Sequence, residues 1–212
     1  MAAKGKSSPR LGTGGGSATE ISTQTVSDAL RACLARKDQR GAALVLVAAT
    51  TGLRAFQLAN LTWDQVLDDS STTVGSTLRV PFQKTKGKHS SRTLPLPKKA
   101  ATALQVLLED RQVAGSDPVF VSQRTRKAMT AQAVVDWFRR LFRSLGVKAS
   151  AHSVRRYFIT MAARSLSQAR GSSKDLMYLA QHSSYSTTAR YIDKDPQAQE
   201  EMARLVASQI RI

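Results

Sequence analysis

The sequence predicts a mainly α fold, of α+β class, carrying one small antiparallel β-hairpin. Three observations predict it. Apolar residues recur at three- and four-residue spacing through most of the chain, as in helices with one buried face. Strand-like alternation is confined to the region from Thr77 to Leu96, where two short runs flank a polar stretch containing Gly87. No internal repeat points to a solenoid or an array.

Taken in order, residues 1–20 are rich in Gly and Ser and carry Lys4, Lys6 and Arg10. The run Gly12-Thr13-Gly14-Gly15-Gly16 lacks the Lys-Ser/Thr ending of a phosphate loop, so a flexible basic tail is expected. From Ser22 onward Val26, Leu30, Cys33 and Leu34 mark a helix. Gly41 to Thr50 is nearly all apolar, which predicts a helix buried on most sides and stopped by Thr51-Gly52. Arg54 then opens a short helix through Leu58.

Thr77, Leu78, Val80 and Phe82 read as one strand and Arg92 to Leu96 as its return, with Lys84 to Ser91 as the tip. Pro95 and Pro97 close the hairpin, and a helix follows from Lys98 to about Val113. After a short extended link at Pro118 to Val121, Thr130 caps a helix that carries Val134, Val135, Trp137, Phe138, Leu141 and Phe142 and ends at Gly146. A long helix is expected from near His152 to about Ser167, then short helices at Asp175 to Gln181 and Thr187 to Ile192. Beyond Pro196 a last amphipathic helix would place Met202, Leu205 and Val206 on one side.

Length and composition bound the function. The 212 residues suit one domain with a tail, and 42% hydrophobic content is enough for a core. Lys and Arg number 32 against 15 Asp and Glu, a formal net charge of +17. Such an excess lowers the free energy of a polyanion at the surface, and nucleic acid is the commonest polyanion. Cys33 is the only cysteine, which excludes an intramolecular disulfide and any cysteine-based zinc site. No apolar run reaches the ~18–20 residues of a membrane span. Residues 1–20 lack the apolar core of a signal peptide, so a cytoplasmic location is expected.

The residues that could carry chemistry gather late. His152-Ser153-Val154-Arg155, then His182, then Arg190-Tyr191 follow one another, and Thr51-Gly52-Leu53-Arg54 supplies another arginine upstream. Each has a plain structural alternative. His182 could sit at a helix C-terminus, stabilised by the dipole, and Tyr191 could be a core aromatic. Together, two arginines, two histidines and a tyrosine are a set that could hold a phosphodiester and attack it with a phenol.

Their order carries a resemblance. From about residue 25 onward the chain resembles the tyrosine recombinase (phage integrase) family. Thr51-Gly52-Leu53-Arg54 with the following Leu58 to Val66 looks like the family's first box, whose arginine binds the scissile phosphate. Lys84-Thr85-Lys86-Gly87 with Arg92-Thr93-Leu94-Pro95-Leu96 resembles its β-hairpin, which carries a catalytic lysine. Ala151 to Arg156 matches the H-x-x-R box, and Leu179 to Tyr191 resembles the segment that ends in the nucleophile. Two departures stand out. Gln181 occupies the place of the usual glycine before the second histidine, and the hairpin offers Lys84, Lys86 and Lys88. The resemblance favours Lys84, with Lys86 as the rival.

The resemblance implies a catalytic set of Arg54, Lys84, His152, Arg155, His182 and Tyr191, with Tyr191 as nucleophile and no metal or cofactor. Arginine forks match the non-bridging oxygens of a phosphate better than lysines do. A phenol's ordinary pKa near ~10 makes tyrosine a poor nucleophile at neutral pH unless a cationic pocket and a base assist it. His152 is the candidate base, His182 a hydrogen-bond donor to the phosphate, and the hairpin lysine the acid for the leaving 5′-oxygen. The expected product is a 3′-phosphotyrosyl bond with a free 5′-hydroxyl. Asp64, Asp68 and Asp69 are the nearest approach to a two-metal carboxylate cluster and lie in a connection.

The expected organisation is a tail at 1–20, a catalytic domain at 21–195 and a C-terminal helix at 196–212 that packs on its own domain or on a neighbouring protomer. Few residues precede the first box, so the expectation is a naturally single-domain member or a piece of a longer protein. The expected partner is double-stranded DNA, bound by a homo-oligomer that recombines as a tetramer through a Holliday junction. The alternatives are type IB topoisomerase-like strand passage and a DNA-binding regulator that has kept the fold without the activity.

Overall fold

A computed structural model describes residues 19–70, 72–84, 88–109 and 113–192, together with Glu200 and Arg204; at 82–84 and 88–90 it describes the backbone alone. The expected tail at 1–18, Lys86, and Met202, Leu205 and Val206 of the expected last helix lie outside the described residues. Among the described residues no helix is long and apolar enough to cross a membrane.

Eight α-helices and one two-stranded sheet are present among the described residues: α1 (Thr23–Ala35), α2 (Gln39–Thr51), α3 (Ala55–Ala59), β1 (Thr77–Lys84), β2 (Lys88–Pro95), α4 (Lys98–Glu109), α5 (Ala131–Ser144), α6 (Ala151–Arg164), α7 (Ser173–Leu179) and α8 (Tyr185–Ala189). The fold is the mainly α arrangement with a small antiparallel element that the sequence predicts. α2 is the central helix. It packs on α1, α4 and α6, and nearly every residue from Arg40 to Ala49 is buried, as its unbroken apolar run requires. Trp63, Phe120, Phe138, Phe142 and Leu44 are fully buried and build the main core. Deleting one such side chain would cost roughly 3–5 kcal/mol for an aromatic.

Helix starts follow the local sequence. Ser22, Asp38, Thr130, Ser150 and Ser172 each accept a main-chain N–H of the first turn through a side-chain oxygen. α2 ends at Gly52, whose φ of +62° is the left-handed cap that glycine adopts without penalty. A Cβ there would also fall 2.2 Å from Phe158 Cδ1 of α6, so the position excludes a side chain on two grounds.

Several expected boundaries shift. Leu34, expected on the buried face of α1, is 57% exposed. The strands are longer than their apolar alternation: pairing runs from Thr77↔Pro95, through Leu78↔Leu94 and Val80↔Arg92, to Lys84↔Lys88. Backbone pairing continues through polar residues once the ribbon leaves the core, so a polar stretch reads as a loop when it is strand. α6 stops at Arg164, and the short helices begin earlier than expected, at Ser173 and Tyr185. The Ser172 side chain caps the first of these helices, and Ser184 takes the N-cap position of the second without a side-chain capping bond. α8 therefore ends before Tyr191, which sits in the turn beyond it, its N–H bonded to the Thr188 carbonyl at 3.0 Å.

Candidate active site

Arg155 lies in the second turn of α6 and is 5% exposed. Its Nη1 donates to the Gly52 carbonyl at the end of α2, and its Nη2 donates to the Ala180 carbonyl at the end of α7. Two helix C-termini thus orient one guanidinium. Burial, then the nearby charge of Arg54, push its pKa down to about 10, while Tyr191 acts in the opposite direction. The side chain stays charged at neutral pH, and the N–H groups not engaged by the two carbonyls remain for an anion.

Arg54 caps the start of α3 and reaches the same place from the other side. Its Nη2 donates to the Gln181 carbonyl at 3.2 Å. Burial, and then the positive charge of Arg92, lower its pKa. Two guanidiniums therefore converge on the end of α7 with no ion pair to a carboxylate among the described residues, an arrangement that raises the local affinity for phosphate.

The end of α7 is a Schellman turn. The His182 N–H bonds the Met177 carbonyl at 3.1 Å and the Gln181 N–H bonds the Tyr178 carbonyl at 3.0 Å. Gln181 takes the left-handed place at φ +53°. This is the physical reason for a glycine there in relatives of the pattern, and Gln181 accepts the strain.

His182 follows and is 8% exposed. Its Nδ1 lies 3.0 Å from the Thr188 hydroxyl, and Thr188 is fully buried in α8. Burial, then Arg155 and Arg54, push the His182 pKa down to about 4. The imidazole is thus neutral at physiological pH. This corrects the sequence-based alternative of a dipole-stabilised cation: the helix C-terminus favours a charge there, and desolvation with two arginines outweighs it. In the tautomer in which the Thr188 hydroxyl donates to Nδ1, Nε2 carries the proton and can donate.

Tyr191 packs with the apolar group of Ile159, Leu176, Ala180 and Phe158, and its ring centroid is 6.1 Å from that of His182 at an interplanar angle of 30°. Four of the six expected residues, Arg54, Arg155, His182 and Tyr191, are therefore brought together. His152 is exposed in the first turn of α6, one turn ahead of Arg155 on that helix. It lines a cavity of about 550 Å³ with Arg139, Arg143 and Lys148. Lys84 is the last residue of β1, opposite Lys88, and Lys86 lies outside the described residues.

Two residues join the site that their sequence context did not single out. Thr188 does so through His182. Arg92 of β2 lies close enough to Arg54 to affect its charge, with its guanidinium 5.2 Å from the Tyr178 ring centroid and bonded to the Tyr178 carbonyl at 3.4 Å. Tyr178 in turn donates its hydroxyl to the Thr93 carbonyl at 3.2 Å. The strand that leads to the hairpin lysines is thereby fastened to the helix that leads to His182. The only signal in the sequence was the arginine within the return strand. Of the three aspartates, Asp68 is tied to Ser70 and Thr73 in its own turn, which lowers its pKa.

The pattern of the phage integrase family matches residues 20–198. The chain belongs to the phage integrase family. Among solved structures, this phage integrase family member is similar to the XerA recombinase, at 25% identity and a TM-score of 0.66 over 92% of this chain and 66% of that one. It shares the fold of the Tn1549 transposon integrase, solved with a circular intermediate DNA, at 21% identity and a TM-score of 0.67 over 92% of this chain and 68% of that one. It also shares the fold of a lambda integrase dimer bound to a COC′ core site, at 18% identity and a TM-score of 0.57 over 82% of this chain and 48% of that one. The chain thus spans just under two thirds of the length of XerA. No curated protein sequence matches.

Proposed function

We propose that the chain is the catalytic domain, over residues 21–195, of a site-specific DNA recombinase that cuts and rejoins strands through Tyr191. The observation that carries this reading is the convergence of Arg54, Arg155, His182 and Tyr191 around the end of α7 from segments far apart in sequence.

Arg54 and Arg155 would hold the non-bridging oxygens of the scissile phosphate, and neutral His182 would donate from Nε2 to one of them. His152 would take the proton of the Tyr191 hydroxyl as its oxygen attacks phosphorus. The bond from phosphorus to the 5′-oxygen breaks, and Lys84, or Lys86 in its place, would protonate that oxygen. One phosphodiester is exchanged for another, so the 3′-phosphotyrosyl bond keeps the energy needed for resealing. Attack by the 5′-hydroxyl of a second duplex would exchange strands, and a tetramer on two sites would carry this through a Holliday junction. The +17 charge supports backbone contacts to double-stranded DNA.

The test is a nicked suicide substrate that lets the 5′ fragment diffuse away after cleavage. With DNA from the flanks of the gene, the wild-type chain should form a covalent adduct stable to denaturant, and Tyr191→Phe should form none. An adduct that persists in Tyr191→Phe would overturn the assignment. Relaxation of a supercoiled one-site plasmid without exchange between two sites would favour topoisomerase-like strand passage. DNA binding without an adduct would favour a silent regulator.

A further inference from the structure

We propose that Gln57 and Gln181 form a positioning pair that holds Arg54 against the turn carrying His182, a role that rests on the phosphate-binding reading of Arg54. Three bonds close a ring. The Arg54 main-chain N–H donates to Gln57 Oε1 at 2.9 Å, Gln57 Nε2 donates to Gln181 Oε1 at 2.6 Å, and Arg54 Nη2 donates to the Gln181 carbonyl at 3.2 Å. Both glutamines are buried, at 8% and 3% exposure. They stand 124 residues apart in sequence, so the amide bridge exists only in the folded chain and joins the two segments that carry Arg54 and His182.

The conformation of Gln181 strengthens the case. A residue with a Cβ is disfavoured at its φ of +53°, and a glycine would relieve the strain. A glycine could not reach Gln57. The side chain present at this strained place is therefore the one that completes the ring. Among the described residues Gln181 Nε2 is buried without a hydrogen-bond partner, so the bridge uses one half of the amide and leaves the other half an unmet donor. With a carboxylate at residue 57, the Gln181 amide would turn over to present Nε2 to one oxygen while the other still takes the Arg54 N–H.

The pair touches no reacting atom in this scheme. It acts through Arg54, whose displacement by about 1 Å would cost up to roughly a hundredfold in rate. The ring also explains why Arg54 keeps its place with no ion pair to a carboxylate among the described residues.

The experiment uses the full chain with labelled arginine, the Arg54 guanidinium resonances being identified by Arg54→Lys. Gln57→Met and Gln181→Met keep an unbranched side chain of similar volume and remove the bridge. In each, exchange of the Arg54 side-chain protons with water should accelerate by about tenfold or more, while Gln57→Glu should keep it slow. Unchanged exchange in Gln57→Met overturns the proposal, as does fast exchange in Gln57→Glu. Should Gln181→Met fail to fold, the two Gln57 variants decide between these outcomes. With saturating suicide substrate, both Met variants should lose roughly ten- to a hundredfold in the rate of adduct formation with DNA affinity held within about twofold. An unchanged rate, or an equal loss of affinity, also overturns it. If the wild-type chain forms no adduct, the recombinase reading fails and the exchange rates alone decide the pair.

Discussion

The Thr188 hydroxyl lies 3.0 Å from His182 Nδ1, and both groups are buried. This contact orients a neutral imidazole that burial and two arginines hold at a pKa of about 4. Replacing Thr188 by Val keeps the shape and removes the partner of a buried ring nitrogen. Unfolding free energy should fall by about 1–3 kcal/mol in denaturant titrations, and adduct formation should slow because the ring loses the contact that orients it. An unchanged stability would show that the contact is not formed in solution.

The same histidine predicts a pH dependence. Its folded pKa, about 4, lies below the ordinary value of 6.5, so between these values the unfolded chain binds the extra proton. The contribution to stability is full above about pH 6.5 and is lost as pH falls through the folded pKa. Denaturant midpoints measured from pH 7 down to 4 should decline, and His182→Asn should flatten that part of the curve. A wild-type midpoint that is constant or rises with acid would contradict the neutral assignment.

Gly52 should tolerate no substitution. Gly52→Ala adds a Cβ at φ +62° and drives it into Phe158, so two penalties combine. Strain of about 1–2 kcal/mol and overpacking of about 1–3 kcal/mol should appear as a lower melting temperature. The Gly52 carbonyl also receives Arg155, so adduct formation should fall further than stability alone accounts for. Normal melting and normal cleavage together would sink this reading.

Arg155→Lys keeps the charge and loses the fork. One ammonium cannot serve the Gly52 and Ala180 carbonyls and a phosphate at once, since those carbonyls approach from two different helix ends. The expected loss in adduct formation is roughly a hundred- to a thousandfold. A loss under about tenfold, measured in single turnover, would show that charge alone is sufficient.

DNA affinity should depend steeply on salt. With a net charge of +17, several phosphates should be neutralised on binding. A titration followed by fluorescence anisotropy should show affinity falling by roughly a thousandfold between 50 and 200 mM salt. A slope near zero on a double-logarithmic plot would argue against a backbone-dominated interface.

Much of the fold was legible because helix periodicity and capping are local. Ser22 and Thr130 announce helix starts by residue type, and the apolar run of α2 announces its burial. The hairpin was legible as a hairpin, while its length was not, since Lys84 and the polar residues 88–91 extend the strand pairing beyond the apolar alternation. The expected helix through Tyr191 ends earlier, at Ala189, with Arg190 at its C-cap. Thr188 and Arg92 lie inside segments that the sequence singles out, but their roles in the site are not legible there. Each joins it through a partner on another element.

By itself, the sequence determined the residue types available for phosphate chemistry, their order, and membership of the family. Those follow from identity and spacing, which no fold is needed to read. Only the tertiary structure decided that His182 is neutral, that two helix ends orient Arg155, and that Gln181 sits in a left-handed turn bonded to Gln57. Proton affinity and side-chain orientation depend on desolvation and on charges and carbonyls delivered from distant segments. Arg155 meets Gly52 across 103 residues, and no local pattern carries that information.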